Sequence, residues 1–138
     1  TPHGGQIALP GGGYEVNERF PTDTALREAR EEVALSSAQL RVLGALSPLY
    51  IGVSNYSVVP VLGASGEEPD LTPDPREVER VHLLNVDALD RGREERSFAT
   101  RRGRVTAPCF TAGGVSVWGA TAMMLSEFLR LHRDLAGH

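Results

Sequence analysis

Three glutamates, Glu28, Glu31 and Glu32, stand at the spacing i, i+3 and i+4, which on a helix places them on one face. Like charges at that spacing each destabilise an isolated helix by about 0.2–0.5 kcal/mol. A hard divalent cation held by carboxylate oxygens would offset the cost. A solvated face neutralised by Arg27 and Arg30 is the ordinary alternative, and Arg27 and Glu31 form an i, i+4 pair. Just upstream, Gly11, Gly12 and Gly13 follow Pro10. Glycines can adopt positive φ and let backbone approach a ligand closely. A carbonyl freed by such a turn can ligate a metal, and its amides can face a phosphate oxygen. A glycine turn alone is a weak signal. Followed by a loop and then Arg-Glu-x-x-Glu-Glu on a helix, it is a strong one.

These residues need elements to hold them. Residues 6–9 read as a short strand stopped by Pro10 and the glycines. Pro21-Thr22-Asp23 starts a helix reaching to about residue 34, with Thr22 or Asp23 as N-cap. Ala25, Leu26, Ala29 and Val33 fall opposite the glutamates and can pack on a sheet. Residues 41–50 and 56–63 read as strands, 63–75 as a loop, 78–86 as a further strand, and 87–96 as a short helix or loop. Residues 105–110 and 115–118 form a hairpin around Thr111-Ala112-Gly113-Gly114. A last helix over 119–135 carries the stripe Ala122, Leu125, Phe128, Leu129 and His132. Strands interleaved with two helices imply an α/β fold, a sheet covered by helices.

The chain's 138 residues suit one domain, and 41% hydrophobic with 23% charged residues is ordinary for a soluble globular protein. A net charge of −4 argues against a nucleic-acid groove as the main business and leaves a local basic patch open. The single cysteine, Cys109, cannot form an internal disulfide, which suits a reducing, cytoplasmic setting; in a β segment it reads as a small buried apolar residue. No apolar run approaches the ~20 residues needed to span a bilayer. The opening Thr1-Pro2-His3-Gly4-Gly5 does not look like a signal peptide. Met123 and Met124 read as filler, and His132 as a packed or half-exposed histidine.

The stretch from the glycines to Leu35 resembles the Nudix box, G-x5-E-x7-R-E-U-x-E-E-x-G-U with U aliphatic. Arg27 through Leu35 fit its second half, with Ala34 in place of the glycine and Ala29 as a small U. Five residues separate Gly12 from Glu18, but eight, not seven, separate Glu18 from Arg27. That extra residue resembles the coenzyme A pyrophosphatase branch. So does His3-Gly4-Gly5-Gln6-Ile7-Ala8-Leu9-Pro10-Gly11-Gly12, which is similar to H-x-G-Q-[I/V]-x-F-P-G-G. Val59-Pro60-Val61, Pro75-Arg76-Glu77-Val78 and Trp118-Gly119-Ala120-Thr121-Ala122 also resemble that branch.

The resemblance implies a Nudix-type α/β/α sandwich, a mixed β-sheet flanked by helices. It implies a single domain over 1–138 that lacks the segment usually found before the His-x-Gly-Gln motif. It implies Mg²⁺ or Mn²⁺ held by Glu28, Glu31, Glu32 and a carbonyl near Gly12, with Glu28 and Glu32 as the foremost ligands. Glu31 and Glu32 would be catalytic, Glu31 as a ligand or as a base through bound water. Arg27 would orient the glutamates, and Glu18 would act from outside the ligand shell. Substrate would meet His3, Gln6, Gly11, Gly12 and Gly13, although His3 and Gln6 read equally well as residues fixing the turn. Glu77 and Glu79 are further carboxylates, as a base or as plain surface groups. The implied reaction is hydrolysis of coenzyme A to 3′,5′-ADP and 4′-phosphopantetheine. Hydrolysis of another substrate such as ADP-ribose, and a non-catalytic nucleotide sensor, are the alternatives. The implied partner is a small molecule, not nucleic acid or membrane, and monomer and homodimer are both open.

Overall fold

The computed structural model describes residues 6–52 and 54–137. The chain divides into two compact units, one over Leu9–His82 and one joining the start of the chain, up to Ala8, to Leu83 onward.

In the Leu9–His82 unit, helix α1 spans Thr22–Val33. Its N-cap residue is Pro21, after a cis Phe20–Pro21 bond, and no side chain caps the first turn. Of the two expected caps, Asp23 is engaged otherwise. Asp23 accepts the Arg19 backbone N–H at 2.9 Å and pairs with its guanidinium at 3.2 Å. Thr24, Ala29 and Val33 are the buried residues of α1.

The helix closes on Ala34, which is left-handed at φ 59°. The Ala34 and Leu35 N–H groups donate back to the carbonyls of Arg30 and Ala29, at 3.0 and 3.3 Å. A Cβ in this conformation costs about 1–2 kcal/mol, and glycine removes that cost while adding unfolded-state freedom. Ala34→Gly, which restores the residue of the motif, is therefore expected to stabilise the protein by about 0.5–1 kcal/mol, read as a higher denaturant midpoint.

Two further carbonyls of the last turn are satisfied from outside the helix. Thr72 N–H donates to Val33 O at 2.9 Å and Asp74 N–H to Glu32 O at 2.8 Å. The segment around residues 72–77 is thereby docked on the C-terminal end of α1. The strand expected over 78–86 does not form; residues 78–85 are irregular. A segment rich in Val and Leu makes a strand only where a ladder partner exists.

The strands expected over 41–50 and 56–63 are each broken in two. β1, Arg41–Ala45, pairs antiparallel with β4, Val61–Ala64, and β2, Leu49–Ile51, pairs antiparallel with β3, Tyr56–Val58. Pro48 and Pro60 stand at the breaks and have no N–H for a ladder. Leu46 N–H to Pro60 O, at 2.8 Å, bridges the interruption.

In the second unit, α2 spans Val86–Arg91, with Asn85 capping the Ala88 N–H at 2.9 Å. β5, Arg93–Thr100, pairs with β6, Gly103–Ala112, which pairs with β7, Val115–Val117, all antiparallel. Gly113 and Gly114, at φ 56° and 78°, make the expected β6–β7 turn, where a two-residue hairpin wants positive φ. Gly92 lies so close to β6 that a Cβ would fall 1.9 Å from the Thr111 carbonyl oxygen. Helix α3, Gly119–Leu135, lays Ala122 and Leu129 on a core of Leu89, Phe110, Ala112 and Val117, with Ile7, Leu125 and Phe128 packed against it. Residues 6–9 supply Ile7 to this core without forming the expected strand. Cys109 is fully buried, as expected. His132 is exposed instead of continuing the apolar stripe; its ring stands 6.1 Å from that of Phe128. The α/β class holds, and among the described residues no helix is long and apolar enough to cross a membrane.

Candidate active site

The glutamates of α1 are organised by one arginine. Arg27 carries five N–H donors, and hydrogen bonds fill the whole fork. Nε donates to Glu18 Oε2 at 2.6 Å, and Nη2 to Gly13 O at 2.7 Å and Glu18 Oε1 at 3.3 Å. Nη1 donates to Glu28 Oε1 at 2.8 Å and Glu31 Oε2 at 3.2 Å, with Glu15 Oε1 at 3.5 Å. The side chains of Arg27, Glu18 and Glu28 are only 11%, 14% and 14% exposed, whereas that of Glu31 is half exposed.

The second component is the irregular segment before α1, which lies along the helix. Glu18 closes a small turn: its Oε1 accepts the Glu15 N–H at 2.7 Å and the Thr24 hydroxyl at 3.1 Å. Gly11 N–H donates to Glu32 Oε2 at 2.9 Å. Gly12 packs directly on Glu28, so that a Cβ there would meet Oε1 at 2.5 Å. Gly11, Gly12 and Gly13 do not adopt positive φ. Of the two uses expected of a glycine turn, this one serves close approach.

The electrostatics follow from that geometry. The Arg27 guanidinium, with the Glu15 amide, holds the Glu18 carboxyl below its ordinary value. Glu18 in turn raises the pKa of Arg27. Glu32 goes the other way. Burial pushes it up, and the charges of Glu28, Glu77 and Glu31 add to the effect against the opposing Gly11 amide. Glu15, Glu18, Glu28 and Glu31 thus share one cation, while Glu32 is held by an amide.

A surplus of hard oxygen donors over cationic partners fits a divalent ion of the Mg²⁺ or Mn²⁺ type. Among the described residues no three acidic side chains already converge as ligands. Glu28, Glu31 and Glu32 are the side chains that would hold one, with Glu28 and Glu31 kept in place by Arg27.

The other candidates fall as follows. Glu77 is exposed on the segment docked at the end of α1, and its charge is felt at Glu32. Glu79 is exposed on irregular chain, not beside a strand. Gln6 is exposed and belongs to the other unit. His3 lies outside the described residues. Sequence reasoning missed Glu15 and Thr24. Glu15 has no signal in the motif, and Thr24 is legible only once Glu18 is known to fold back on the helix.

The sequence profile of the NUDIX domain matches residues 1–107. The chain belongs to the Nudix family. It is 34% identical over 134 residues to a human protein named mitochondrial coenzyme A diphosphatase NUDT8, covering 94% of this chain and 56% of the relative. It is 40% identical over 85 residues to a Nudix hydrolase NudL, itself uncharacterized, of Pectobacterium atrosepticum, covering 62% of this chain and 44% of the relative. Against the NudL of Escherichia coli K12 it is 34% identical over 129 residues, covering 91% and 66%. The chain therefore spans only 44–66% of the lengths of these three relatives. Within this Nudix domain, the Arg27-centred cluster is the part of the family motif on which the described backbone and side chains converge.

Proposed function

We propose that this Nudix domain is a divalent-cation-dependent hydrolase that splits the diphosphate of coenzyme A or a close derivative into 3′,5′-ADP and 4′-phosphopantetheine. The observation that carries the reading is the carboxylate set of α1, ordered by a saturated Arg27 and carrying more negative charge than Arg27 balances. The choice of coenzyme A draws support from the His3-to-Gly12 motif, from the extra residue before Arg27, and from the relative named a coenzyme A diphosphatase.

Glu28, Glu31, Glu32 and the Gly12 carbonyl would hold Mg²⁺ or Mn²⁺. Such a cation, when bound, neutralises the diphosphate and lowers the pKa of the attacking water. The chain's own residues do the positioning. Arg27 has no N–H left for substrate, so it acts by fixing Glu28 and Glu31. The Gly11 amide fixes Glu32. Glu31, half exposed at the outer end of the guanidinium, has room to take the proton of the water, and Glu77 is the second candidate for that step. The water oxygen bonds to phosphorus as the bridging P–O bond breaks, leaving two phosphomonoesters. Gly11 to Gly13 would line the substrate side.

Incubation with coenzyme A and Mg²⁺ or Mn²⁺, with ADP-ribose in parallel, tests this reading by chromatography. Release of 3′,5′-ADP with little ADP-ribose turnover is expected. Turnover of ADP-ribose alone keeps the hydrolase and removes coenzyme A. Gly12→Ala offers a second check. Its Cβ would displace the flexible end of Glu28, not backbone, so the melting temperature should hardly move while kcat falls roughly tenfold or more.

A further inference from the structure

Strand β5 is the outer strand of the β5–β6–β7 sheet, and among the described residues nothing pairs with its free edge. All eight of its residues, Arg93–Thr100, are exposed, as are residues 103–106 of β6 opposite them. Folded chains guard such edges with charge, proline or a bulge. The inner half of β5 is guarded, reading Arg93-Glu94-Glu95-Arg96. The outer half, Ser97-Phe98-Ala99-Thr100, is neutral, lacks proline, keeps regular register with β6 from Arg93 to Thr100, and exposes 42% of Phe98 beside 48% of its cross-strand partner Val105. Beyond it lies the turn Arg101-Arg102, for which the described residues provide no acidic partner.

The charge order along this edge is self-complementary. In an antiparallel pairing of β5 with β5 of a second copy, centred on Phe98, Phe98 faces its own counterpart. Ser97 faces Ala99, and Arg96 faces Thr100. Glu94 and Glu95 of each copy then come opposite the Arg101-Arg102 turn of the other. Centring the pairing on the inner half instead sets glutamate against glutamate, a repulsive cross-strand arrangement. We infer that the outer half of β5 is a two-fold dimerisation edge for a second copy of this chain, locked by Phe98 and by exchange of Glu94/Glu95 with Arg101/Arg102. The exchange draws Glu95 away from Arg93, its present partner at 2.8 Å. A five-residue ladder buries less than the ~1,000 Å² of a standing interface, so the dimer is a concentration-dependent equilibrium weakened by salt.

Sedimentation velocity of the full chain from micromolar to millimolar concentration tests the inference. The expected result is a monomer–dimer equilibrium that Phe98→Glu weakens at least about tenfold. Glu94→Arg/Glu95→Arg and Arg101→Glu/Arg102→Glu should each remain monomeric alone, because each sets like charges across the two-fold axis. Mixed in equal amounts, the two variants should form a heterodimer, since both halves of the interface are then complementary. The substituted side chains are exposed, and an unchanged thermal melt confirms that each variant folds. A wild type that stays monomeric throughout, a dimer indifferent to Phe98→Glu, or a mixture that does not associate overturns the proposal.

Discussion

Glu32→Gln is expected to lower kcat about a thousandfold while making the metal-free protein more stable at neutral pH. The two effects share one cause. Glu32 is partly buried among like charges and is held by the Gly11 amide. A glutamine oxygen can accept the same N–H, so the local geometry survives. What disappears is a charge that burial and the neighbouring Glu28, Glu77 and Glu31 all disfavour.

The pH dependence has a definite sign. The folded-state pKa of Glu32 lies above its ordinary value of 4.5. Between the two, the folded state binds more protons than the unfolded state, so stability falls as pH rises through that window. Below pH 4.5 the group is protonated in both states and the penalty is absent. The advantage of the variant should therefore vanish under acid conditions and be full above the folded value. Adding Mg²⁺ should reverse the order, because an ion that binds only the folded state stabilises it and the wild type binds it better. Denaturant midpoints of both proteins in chelator and in Mg²⁺, at neutral and acid pH, check all of this. A variant less stable than wild type in chelator at neutral pH would show that the Glu32 charge is already compensated without metal.

Much of this arrangement is legible in the sequence, and the parts that are not have physical reasons. α1 and α3 were legible because their apolar positions recur at helical spacing, and the β6–β7 hairpin because Gly113 and Gly114 permit a tight turn. β5 was missed because Arg-Glu-Glu-Arg-Ser-Phe-Ala-Thr shows no apolar alternation; it is a strand because β6 offers it a partner from Arg93 to Thr100. The converse error fell on residues 78–86, which have the composition of a strand and no partner. Both are cases of pairing overriding composition, which a local reading does not see.

Within the site, the spacing of the glutamates was legible and the hub was not. Reading along the helix finds the Arg27–Glu31 pair at i, i+4, the longer of its two hydrogen bonds to helix glutamates. The close partners of Arg27 are Glu18, nine residues upstream, and the Gly13 carbonyl. They meet it because the glycine segment doubles back along α1, and periodicity within the helix carries no information about that return.

Arg27→Lys separates the charge of this hub from its geometry, and is expected to lower kcat about a hundredfold with little change in KM. Lysine keeps the positive charge among Glu15, Glu18, Glu28 and Glu31 but offers three donors from a single point. It cannot grip both Glu18 oxygens and still reach Gly13, Glu28 and Glu31, which the planar fork does at 2.6–3.3 Å. The carboxylates would then lose their orientation while remaining in place, which harms turnover before it harms the fold. Acid stability offers an independent readout. The Arg27 bond holds Glu18 below its ordinary value, so the stability it contributes is present above pH 4.5 and lost as pH falls through the depressed value. Arg27→Lys should therefore lose stability at neutral pH and converge with wild type in strong acid. If kcat falls but the two acid-unfolding curves coincide throughout, Arg27 acts on substrate directly; if both change together, it acts through Glu18 and the glutamates it aligns.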